Sequence, residues 1–426
     1  MTDQPHTDPR DAGRRADGSR RVAITGIGLS SPIGSTLDAV SESLREGQHG
    51  IQRVDAFDDV GEMITRLGAP VDETFRKRWP RKTMRSMGRV AQLATAATEA
   101  ATADAGLDED TLTNGRTGLA YGSTHGSSSA LERFARTLNE PDALLGLGSN
   151  TYLKFMSHTC AVNLALFLGI RGRVITTCSA CVSASQAIGY GFEAIRFGMQ
   201  DVMICGGAEE LHWVSTGVFD VLQATSTRYN DRPDLSPRPF DRDRDGLVVG
   251  EGAATLVLED WSRAEARGAT IHGELLGFGT SCDGTHITAP SPDGMKDAMR
   301  LALEDARIDK SQLDYVNAHA TATAVGDIGE STASFAVLGD TVPLSSTKGF
   351  TGHTLGACGA LESVFCIAMM RDRFVAPSRN LENVDPECAP LAYITGDARD
   401  AEPRVVMNNN FAFGGINTSL LIGAIA

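Results

Sequence analysis

The sequence lacks an apolar run long enough to cross a membrane. Its most apolar windows are short and are broken by Gly, Ser or charged residues, whereas a membrane-spanning helix needs roughly 18 or more consecutive apolar residues. Residues 1–20 also lack the apolar stretch of a secretory signal, despite the pairs Arg14-Arg15 and Arg20-Arg21. These absences predict a cytoplasmic protein with no membrane span and with a disordered tail over residues 1–20.

Positive charge is scarce as well. The chain has 39 Lys and Arg residues against 54 Asp and Glu residues, which gives a net charge of −15 at pH 7. Nucleic-acid-binding proteins usually present a basic surface. The negative net charge of this chain therefore excludes a nucleic-acid partner that is attracted by the overall charge of the protein. The 42% apolar content is that of a folded globular protein and excludes wholesale disorder.

Candidate strands and helices alternate along the chain, and the alternation occurs twice. RVAITGIG, DVMICGG and AATLVLED are typical of buried strands, and LATAATEAATADAG is typical of a helix. After about residue 265 the pattern restarts, with helices predicted over 293–307 and 356–372. The pattern predicts an α/β fold of two similar halves, over 21–265 and 266–426.

A disulfide framework is also missing, since the eight cysteines lie mostly in apolar segments without a pairing pattern. Cys181 differs from the others because it follows the strand-like run VITTCSA and begins a predicted helix. The N–H groups of a helix N-terminus favour a thiolate and lower a cysteine pKa below roughly 8.5. Two other interpretations stay open here: a small buried apolar side chain, or a redox CxxC motif with Cys178.

Two histidines follow predicted strands in the second half. His319 lies in NAHATAT, and His353 lies in STKGFTGHTLGACG together with Lys348. Open α/β sheets present their chemistry at the carboxyl ends of strands. Each histidine taken singly is more often structural than catalytic, but with Cys181 and Lys348 they form a candidate constellation.

One segment departs from the acidic character of the chain, with seven cations in the fourteen residues from Arg76 to Arg89. Such a run is often only a solvated helical face or loop. The alternative interpretation is a docking site for an acidic partner. The candidate docking residues are Arg76, Lys77, Arg78, Arg81, Lys82 and Arg85.

Six motifs in order resemble the signatures of beta-ketoacyl-ACP synthases I and II. They are TTCSACVSASQAIG with DVMICGGAEE, FDRDRDGLVVGEGAA, NAHATATAVGD, STKGFTGHTLGACGA and NNFAFGGIN. The resemblance runs from about Arg21 to the C-terminus. It implies a thiolase-like fold, in which two α/β halves form five α-β-α-β-α layers, and a homodimer or a heterodimer with a related chain-length-factor subunit. It also implies an acyl carrier protein as partner, which gives the basic run a function.

The resemblance further implies roles for single residues. Cys181 would be the acylated nucleophile, His319 and His353 the paired histidines, and Lys348 the motif lysine with Glu330 as its acidic partner. A nucleophile that carries the acyl chain splits a difficult condensation into two steps. Donors aimed at the developing oxyanion are commonly worth ~3 kcal/mol each. The chemistry implied is a decarboxylative condensation of an acyl thioester with malonyl-ACP.

Further positions match the family's binding residues. Thr321 and Thr323 resemble threonines that hydrogen-bond the pantetheine arm, although locally satisfied hydroxyls are a serious alternative. Phe411 and Phe413 resemble the gating aromatic region, and the backbone N–H of Phe413 would join that of Cys181 in an oxyanion hole. The remaining matches are Gly414 and Gly415, which would give the gating loop its mobility, and Phe219, near the acyl tunnel or in the core. The substrates would arrive on phosphopantetheine, with no metal and no redox cofactor.

Two motifs depart from the family pattern. The family usually has HGTGT or HGTST, whereas this chain has HATAT over 319–323. If the first glycine position takes a positive φ, Ala320 adds strain of about 1 kcal/mol; otherwise it narrows the pantetheine passage. The chain also has NNNFAFGGIN where NSFGFGGTN is commoner. Both changes suggest specialisation toward an unusual acyl chain.

Three competing hypotheses can be weighed on single residues. A non-catalytic subunit of a ketosynthase pair normally lacks the nucleophile that Cys181 supplies. A thiolase needs a second cysteine near the C-terminus, where this chain has NNFAFGGIN. A Cys-His-Asn synthase is disfavoured because the second polar position is His353.

Overall fold

Two five-stranded sheets with the same strand order, joined edge to edge and extended by one further strand into an eleven-stranded sheet, form the core of the protein. The computed structural model describes residues 13–425. Its strands are β1 (Val22–Ser30), β2 (Gln52–Arg53), β3 (Leu67–Gly68), β4 (Thr117–Gly122), β5 (Val174–Thr177), β6 (Val202–Glu209), β7 (Gly252–Asp260), β8 (Gly273–Cys282), β9 (Tyr315–Asn317), β10 (Pro343–Ser345), β11 (Phe374–Val375), β12 (Ala392–Tyr393), β13 (Arg399–Asp400), β14 (Val405–Phe411) and β15 (Ile416–Gly423).

The α-helices alternate with these strands. They are α1 (Leu37–Glu46), α2 (Arg81–Met84), α3 (Arg89–Asp104), α4 (Glu109–Thr113), α5 (Ser128–Leu138), α6 (Ala143–Gly146), α7 (Ser149–Phe155), α8 (Thr159–Leu168), α9 (Ser183–Arg196), α10 (Trp213–Val221), α11 (Trp261–Ala266), α12 (Pro292–Ala306), α13 (Ala324–Leu338), α14 (Lys348–Thr351) and α15 (Cys358–Asp372). Within the described residues, none of them is long and apolar enough to span a membrane.

The sheet topology repeats in the two halves. The first half has the order β5-β4-β6-β7-β1, and the second has β10-β9-β14-β15-β8. In each, the first three strands are parallel and the last two pairings are antiparallel. Antiparallel pairing of β1 with β8 joins the halves. The predicted duplication is therefore confirmed, and the predicted division after residue 265 falls near the end of α11.

Helices α9 and α15 form the central layer, because they contact each other and both sheets. α15 is apolar on all sides and is buried from Cys358 to Met370, as expected for a helix enclosed by other elements. Gly359 permits the close approach: a Cβ there would lie 2.7 Å from the backbone N of Ser185 in α9. Outside the sheets, α3 and α8 cover the first half, and α12 with α13 covers the second.

Residues 13–20, just before β1, are held on the surface of the protein. The sequence predicts a disordered tail over 1–20, and its first twelve residues lie outside the described residues. The prediction is wrong for 13–20, because this segment binds the surface between the two halves. Arg15 donates to a backbone carbonyl of β8 at 2.6 Å, and Asp17 pairs with Arg196 at 3.0 Å. Charged side chains thus fix a segment that has no apolar anchor.

The packing of the central layer leads to a prediction about how much a buried and an exposed leucine contribute to the free energy of unfolding. Leu361→Ala, in α15, should lower the free energy of unfolding by about 2–5 kcal/mol, because the cavity left in a fully packed layer cannot collapse. Leu301→Ala in the outer helix α12 is the matched control, since Leu301 is 38% exposed and Leu361 only 1%. Urea denaturation measures both. Equal losses for the two variants would contradict the layered packing.

Candidate active site

Cys181 lies in a single 3-10 turn between the carboxyl end of β5 and the first residue of α9. The turn begins at Ala180, whose φ of 48° is rare for a residue with a side chain. Cys181 is buried in a small apolar cluster that includes Cys358 and Ala412. A redox pair with Cys178 is not formed, since both thiols are free and the Cys178 thiol donates to the Thr124 carbonyl.

The fold brings both predicted histidines to this sulfur. His353 Nε2 lies 2.9 Å from Cys181 Sγ. The rings of His319 and His353 are nearly perpendicular, with centroids 5.1 Å apart. The sulfur and one nitrogen of each histidine lie within 4.8 Å of one another, so one small reacting group can contact all three. Such donors also suit zinc, and the absence of a metal cofactor stays a prediction.

Burial and one lysine set the protonation of the two histidines. Burial lowers the pKa of His319 and of His353 well below the usual 6.5, and the nearby Lys348 ammonium lowers both further. The imidazoles are therefore neutral and can donate N–H groups.

The pKa of Cys181 differs from the sequence expectation. Burial raises it to about 12, although Lys348 and the backbone N–H groups of Phe413 and of Cys181 itself lower it. The prediction that the helix N-terminus lowers this pKa below that of a free thiol is thus wrong in its net direction, because desolvation of the thiolate outweighs the donors. The thiol keeps its proton in the free protein, and His353 Nε2 is placed to accept it.

The acidic partner of Lys348 is not the predicted one. Lys348 Nζ forms its ion pair with Glu362 in α15, and both side chains are almost completely buried. Glu330 instead accepts the backbone N–H groups of His319 at 2.8 Å and of Ala320 at 2.6 Å. The prediction for Glu330 is therefore wrong as a direct pairing, because its carboxylate holds the loop that carries His319.

Glu362 was missed although the sequence contains a signal for it. It is the one charged residue between 358 and 370, a segment that is otherwise apolar or small. A lone carboxylate in a helix buried on all sides needs a charged or donating partner. Burial lowers the pKa of Lys348, but the facing Glu362, together with Cys358 and Glu330, raises it above its usual value. The lysine therefore stays charged.

The HATAT segment is held from α13. Asp327 accepts the backbone N–H of Ala322 at 3.1 Å and that of Phe240 at 2.7 Å. Ala322 has a φ of 67°, whereas Ala320 is not among the residues with positive φ. The strain considered for Ala320 thus falls on Ala322, and Ala320 lines the entrance to the site instead.

A cavity of about 430 Å³ leads to Cys181, His319 and His353. Its lining includes the predicted binding residues Thr321, Thr323, Phe219, Phe411, Phe413 and Gly415. Gly414 does not line it, but its N–H donates to the Ile287 carbonyl at 2.7 Å and so joins two loops at the mouth. Gly414 and Gly415 have φ of 89° and 72°, which favours glycine at both positions.

The basic run lies on the loop before α2, on α2 and just after it. The six candidate docking residues are all exposed: Arg76, Lys77, Arg78, Arg81, Lys82 and Arg85. Within the part of the chain that the structure describes, only Arg78 among them has an ion pair, with Glu99 at 3.2 Å. Arg89 is separate, because it pairs with the buried Glu251.

Comparison with known proteins agrees with this site. The family model described as Beta-ketoacyl synthase, N-terminal domain, matches residues 19–264, and the C-terminal domain model matches residues 272–382. The chain belongs to the beta-ketoacyl synthase family. The resemblance inferred from the motifs is thereby confirmed.

Individual family members match over almost the whole chain. The 3-oxoacyl-[acyl-carrier-protein] synthase 1 of Haemophilus influenzae is 38% identical, over 94% of this chain and 98% of its own length. A solved beta-ketoacyl synthase from Burkholderia phymatum STM815 is 50% identical with a TM-score of 0.92, over 95% of this chain and 100% of that one. The solved ishigamide ketosynthase/chain length factor is 34% identical with a TM-score of 0.89, over 96% and 100%. These ketosynthase structures confirm the predicted thiolase-like fold.

The assignment of Glu362 to Lys348 can be tested by double-mutant cycles. Lys348→Met leaves a buried carboxylate unpaired and should cost about 3–5 kcal/mol of stability. Combined with Glu362→Gln, much of that loss should be recovered, giving a coupling of about 2 kcal/mol. Combined with Glu330→Gln, the coupling should be clearly smaller, because backbone amides hold Glu330. Denaturant unfolding of the six proteins measures both, and a larger coupling to Glu330 would refute the assignment.

Proposed function

We propose that this protein is a beta-ketoacyl-ACP synthase that joins an acyl thioester to malonyl-ACP with loss of carbon dioxide. One observation carries the proposal. The Cys181 sulfur lies 2.9 Å from His353 Nε2, with His319 beside it, and all three residues line a cavity of about 430 Å³. Such an arrangement has the nucleophile, the base and the oxyanion donors that acyl transfer requires.

The first step loads the enzyme. The Cys181 sulfur attacks the thioester carbonyl of the acyl carrier protein and forms a new carbon–sulfur bond, while the bond to pantetheine breaks. His353 accepts the thiol proton and returns a proton to the departing pantetheine sulfur. The backbone N–H groups of Cys181 and Phe413, which both act on the sulfur, would hold the oxyanion.

The second step makes the new carbon–carbon bond. Malonyl-ACP loses carbon dioxide, and the electron pair of the broken bond becomes an enolate. Its oxygen receives N–H donation from His319 and from His353, which for this step takes the tautomer with its proton on Nε2. Two neutral imidazoles suit this task, because they donate without a full charge that must be desolvated. The enolate carbon attacks the acyl carbonyl on Cys181. The bond between that carbonyl and the sulfur breaks, and the Cys181 sulfur leaves as a thiolate and regains a proton. These steps need no metal and no redox cofactor.

The alternative is a non-catalytic or partner-dependent subunit of a ketosynthase and chain-length-factor pair. The ishigamide structure bears that combination in its name. The complete set of Cys181, His319, His353 and Lys348 in one buried site favours the catalytic subunit. Of the departures from the family motifs, Ala320 and Ala412 line the cavity, which supports specialisation toward an unusual acyl chain.

A dimer is part of the proposal. β5 is the last strand of the sheet and pairs with a neighbour on one side. Apolar side chains are exposed on the helices between β4 and β5, with Leu144 86% and Leu145 87% exposed in α6 and Leu166 76% exposed in α8. Unpaired sheet edges and large exposed apolar patches mark interfaces. A second copy, or a related chain-length-factor subunit, would cover this surface. A cytoplasmic location also belongs to the proposal, in keeping with eight free thiols.

Acylation of the purified protein tests the chemistry. Intact-mass measurement after incubation with acyl-ACPs of several chain lengths should show one added acyl group on the wild type and none on Cys181→Ala. Cys178→Ala is the matched control, because its thiol lies outside the site, and it should be acylated like the wild type. Addition of malonyl-ACP should discharge the acyl group as 3-ketoacyl-ACP. A folded wild type that no acyl-ACP acylates would overturn the stand-alone enzyme and favour the partner-dependent subunit.

The basic run predicts how the carrier protein binds. Arg81→Glu with Lys82→Glu should raise KM for acyl-ACP about tenfold, because each reversal replaces attraction to an acidic partner by repulsion. The turnover number should change little, since both residues are exposed and far from Cys181 in the sequence. Lys310→Glu, exposed elsewhere on the surface, controls for net charge. Steady-state kinetics at two salt concentrations measure the effect, and an unchanged KM would contradict the docking site.

A further inference from the structure

Asn410 lies behind the reacting groups, in a position that the condensation steps leave without a role. It belongs to β14 and is fully buried. Its Nδ2 donates to Glu362 Oε2 at 2.6 Å and lies 3.5 Å from Cys358 Sγ. Neither Asn410 nor Cys358 lines the cavity. The asparagine therefore touches the charged pair on one side and a buried thiol on the other.

Beside the Lys348–Glu362 ion pair, Asn410 supplies the second hydrogen-bond partner of the Glu362 carboxylate. One carboxylate oxygen pairs with Lys348 Nζ, and the other accepts from Asn410. Among the described residues no other side-chain donor reaches that carboxylate. Without Asn410, Glu362 Oε2 would be buried and unpaired, which is unfavourable for an ionised group.

On the other side, Asn410 reaches the nucleophile through one intermediate group. The Cys358 thiol donates to the backbone carbonyl of Cys181 at 3.1 Å. The backbone of Asn410 is itself fixed, because its carbonyl accepts from Thr418, whose hydroxyl also bonds to Ser185 in α9. A continuous path of contacts thus runs from the lysine to the turn that carries the reacting sulfur.

We propose that Asn410 is a positioning residue that couples the Lys348–Glu362 pair to the backbone of Cys181 through the Cys358 thiol. This inference rests on the condensing function proposed above. Lys348 acts on the charge states of Cys181, His319 and His353, so the direction in which its ammonium is held matters for each step. Glu362 fixes that direction, and Asn410 fixes Glu362. The motif NSFGFGGTN has serine at this position, which makes Asn410→Ser a conservative variant with one remaining donor.

The sign of the pH effect follows from Glu362. Burial raises its pKa, while Lys348 and Asn410 lower it. Removing the Asn410 donor should raise this pKa further, so Glu362 takes up a proton at a higher pH than in the wild type. Protonated Glu362 no longer holds the lysine. The acid limb of the turnover profile should therefore move to higher pH, by about one unit for the loss of one bond to a charged group.

The test compares Asn410→Ala and Asn410→Ser with the wild type, using turnover per acylated site between pH 5 and 9. Asn410→Ala should lower turnover at neutral pH and shift the acid limb to higher pH, and Asn410→Ser should show a smaller shift. KM for acyl-ACP should stay unchanged, because Asn410 lies outside the cavity and the basic run. A purely structural role would reduce the number of acylated sites without moving the pH profile. If Asn410→Ala does not fold, Asn410→Asp, of the same shape, should shift the limb in the same direction.

Two outcomes overturn different statements. An unshifted acid limb in a folded Asn410 variant, beside an active wild type, overturns this inference alone. A wild type that is never acylated on Cys181 overturns the proposed function instead. Cys358→Ala tests the second half of the path: it should slow acylation of Cys181 and leave the Glu362-dependent acid limb in place. Equal acylation rates in that variant and the wild type would remove Cys358 from the path.

Discussion

The close packing of α9 against α15 between the two sheets is the constraint on which the rest of the structure depends. Small residues at the contact, with Gly359 against Ser185, bring the start of each helix to the same place. Cys181 precedes α9, and His353 precedes the turn that opens α15. The duplicated topology therefore supplies the proposed nucleophile Cys181 from one half and both histidines from the other.

The same packing buries a positive charge at the centre of the protein. Lys348 is almost fully buried, and its charge is neutralised by Glu362 from α15. A buried ion pair is weak as a source of stability, because desolvation offsets the attraction between the charges. The ammonium also acts on its neighbours, since burial and the Lys348 charge together lower the pKa of His319 and of His353 and keep both neutral. The protein holds this charge for its chemistry rather than for its fold.

Loops at the cavity contain residues with strained backbone angles, and buried carboxylates hold part of these loops through backbone hydrogen bonds. Ala180 and Ala322 both have positive φ without being glycine, and strain of this kind persists where surrounding bonds hold it. Asp327 accepts the N–H of Ala322, and Glu330 accepts the N–H groups of His319 and Ala320 in the same segment. Two carboxylates on α13 thus set the position of His319 and of the threonines near the entrance.

The sequence by itself determined the family, the duplicated α/β architecture and the group of Cys181, His319, His353 and Lys348, because these are carried by local motifs and by short-range hydrophobic patterns. Only the tertiary structure decided which carboxylate faces Lys348. Glu330 and Glu362 are both close to Lys348 in sequence, and the packing of α15 is what places Glu362 against the lysine. The tertiary structure also decided the pKa of Cys181, because the sequence shows the helix N-terminus but not how completely water is excluded. Contacts between separate segments set both properties. The lone Glu362 in an apolar helix indicates that a buried carboxylate needs a partner, but not that this partner is Lys348.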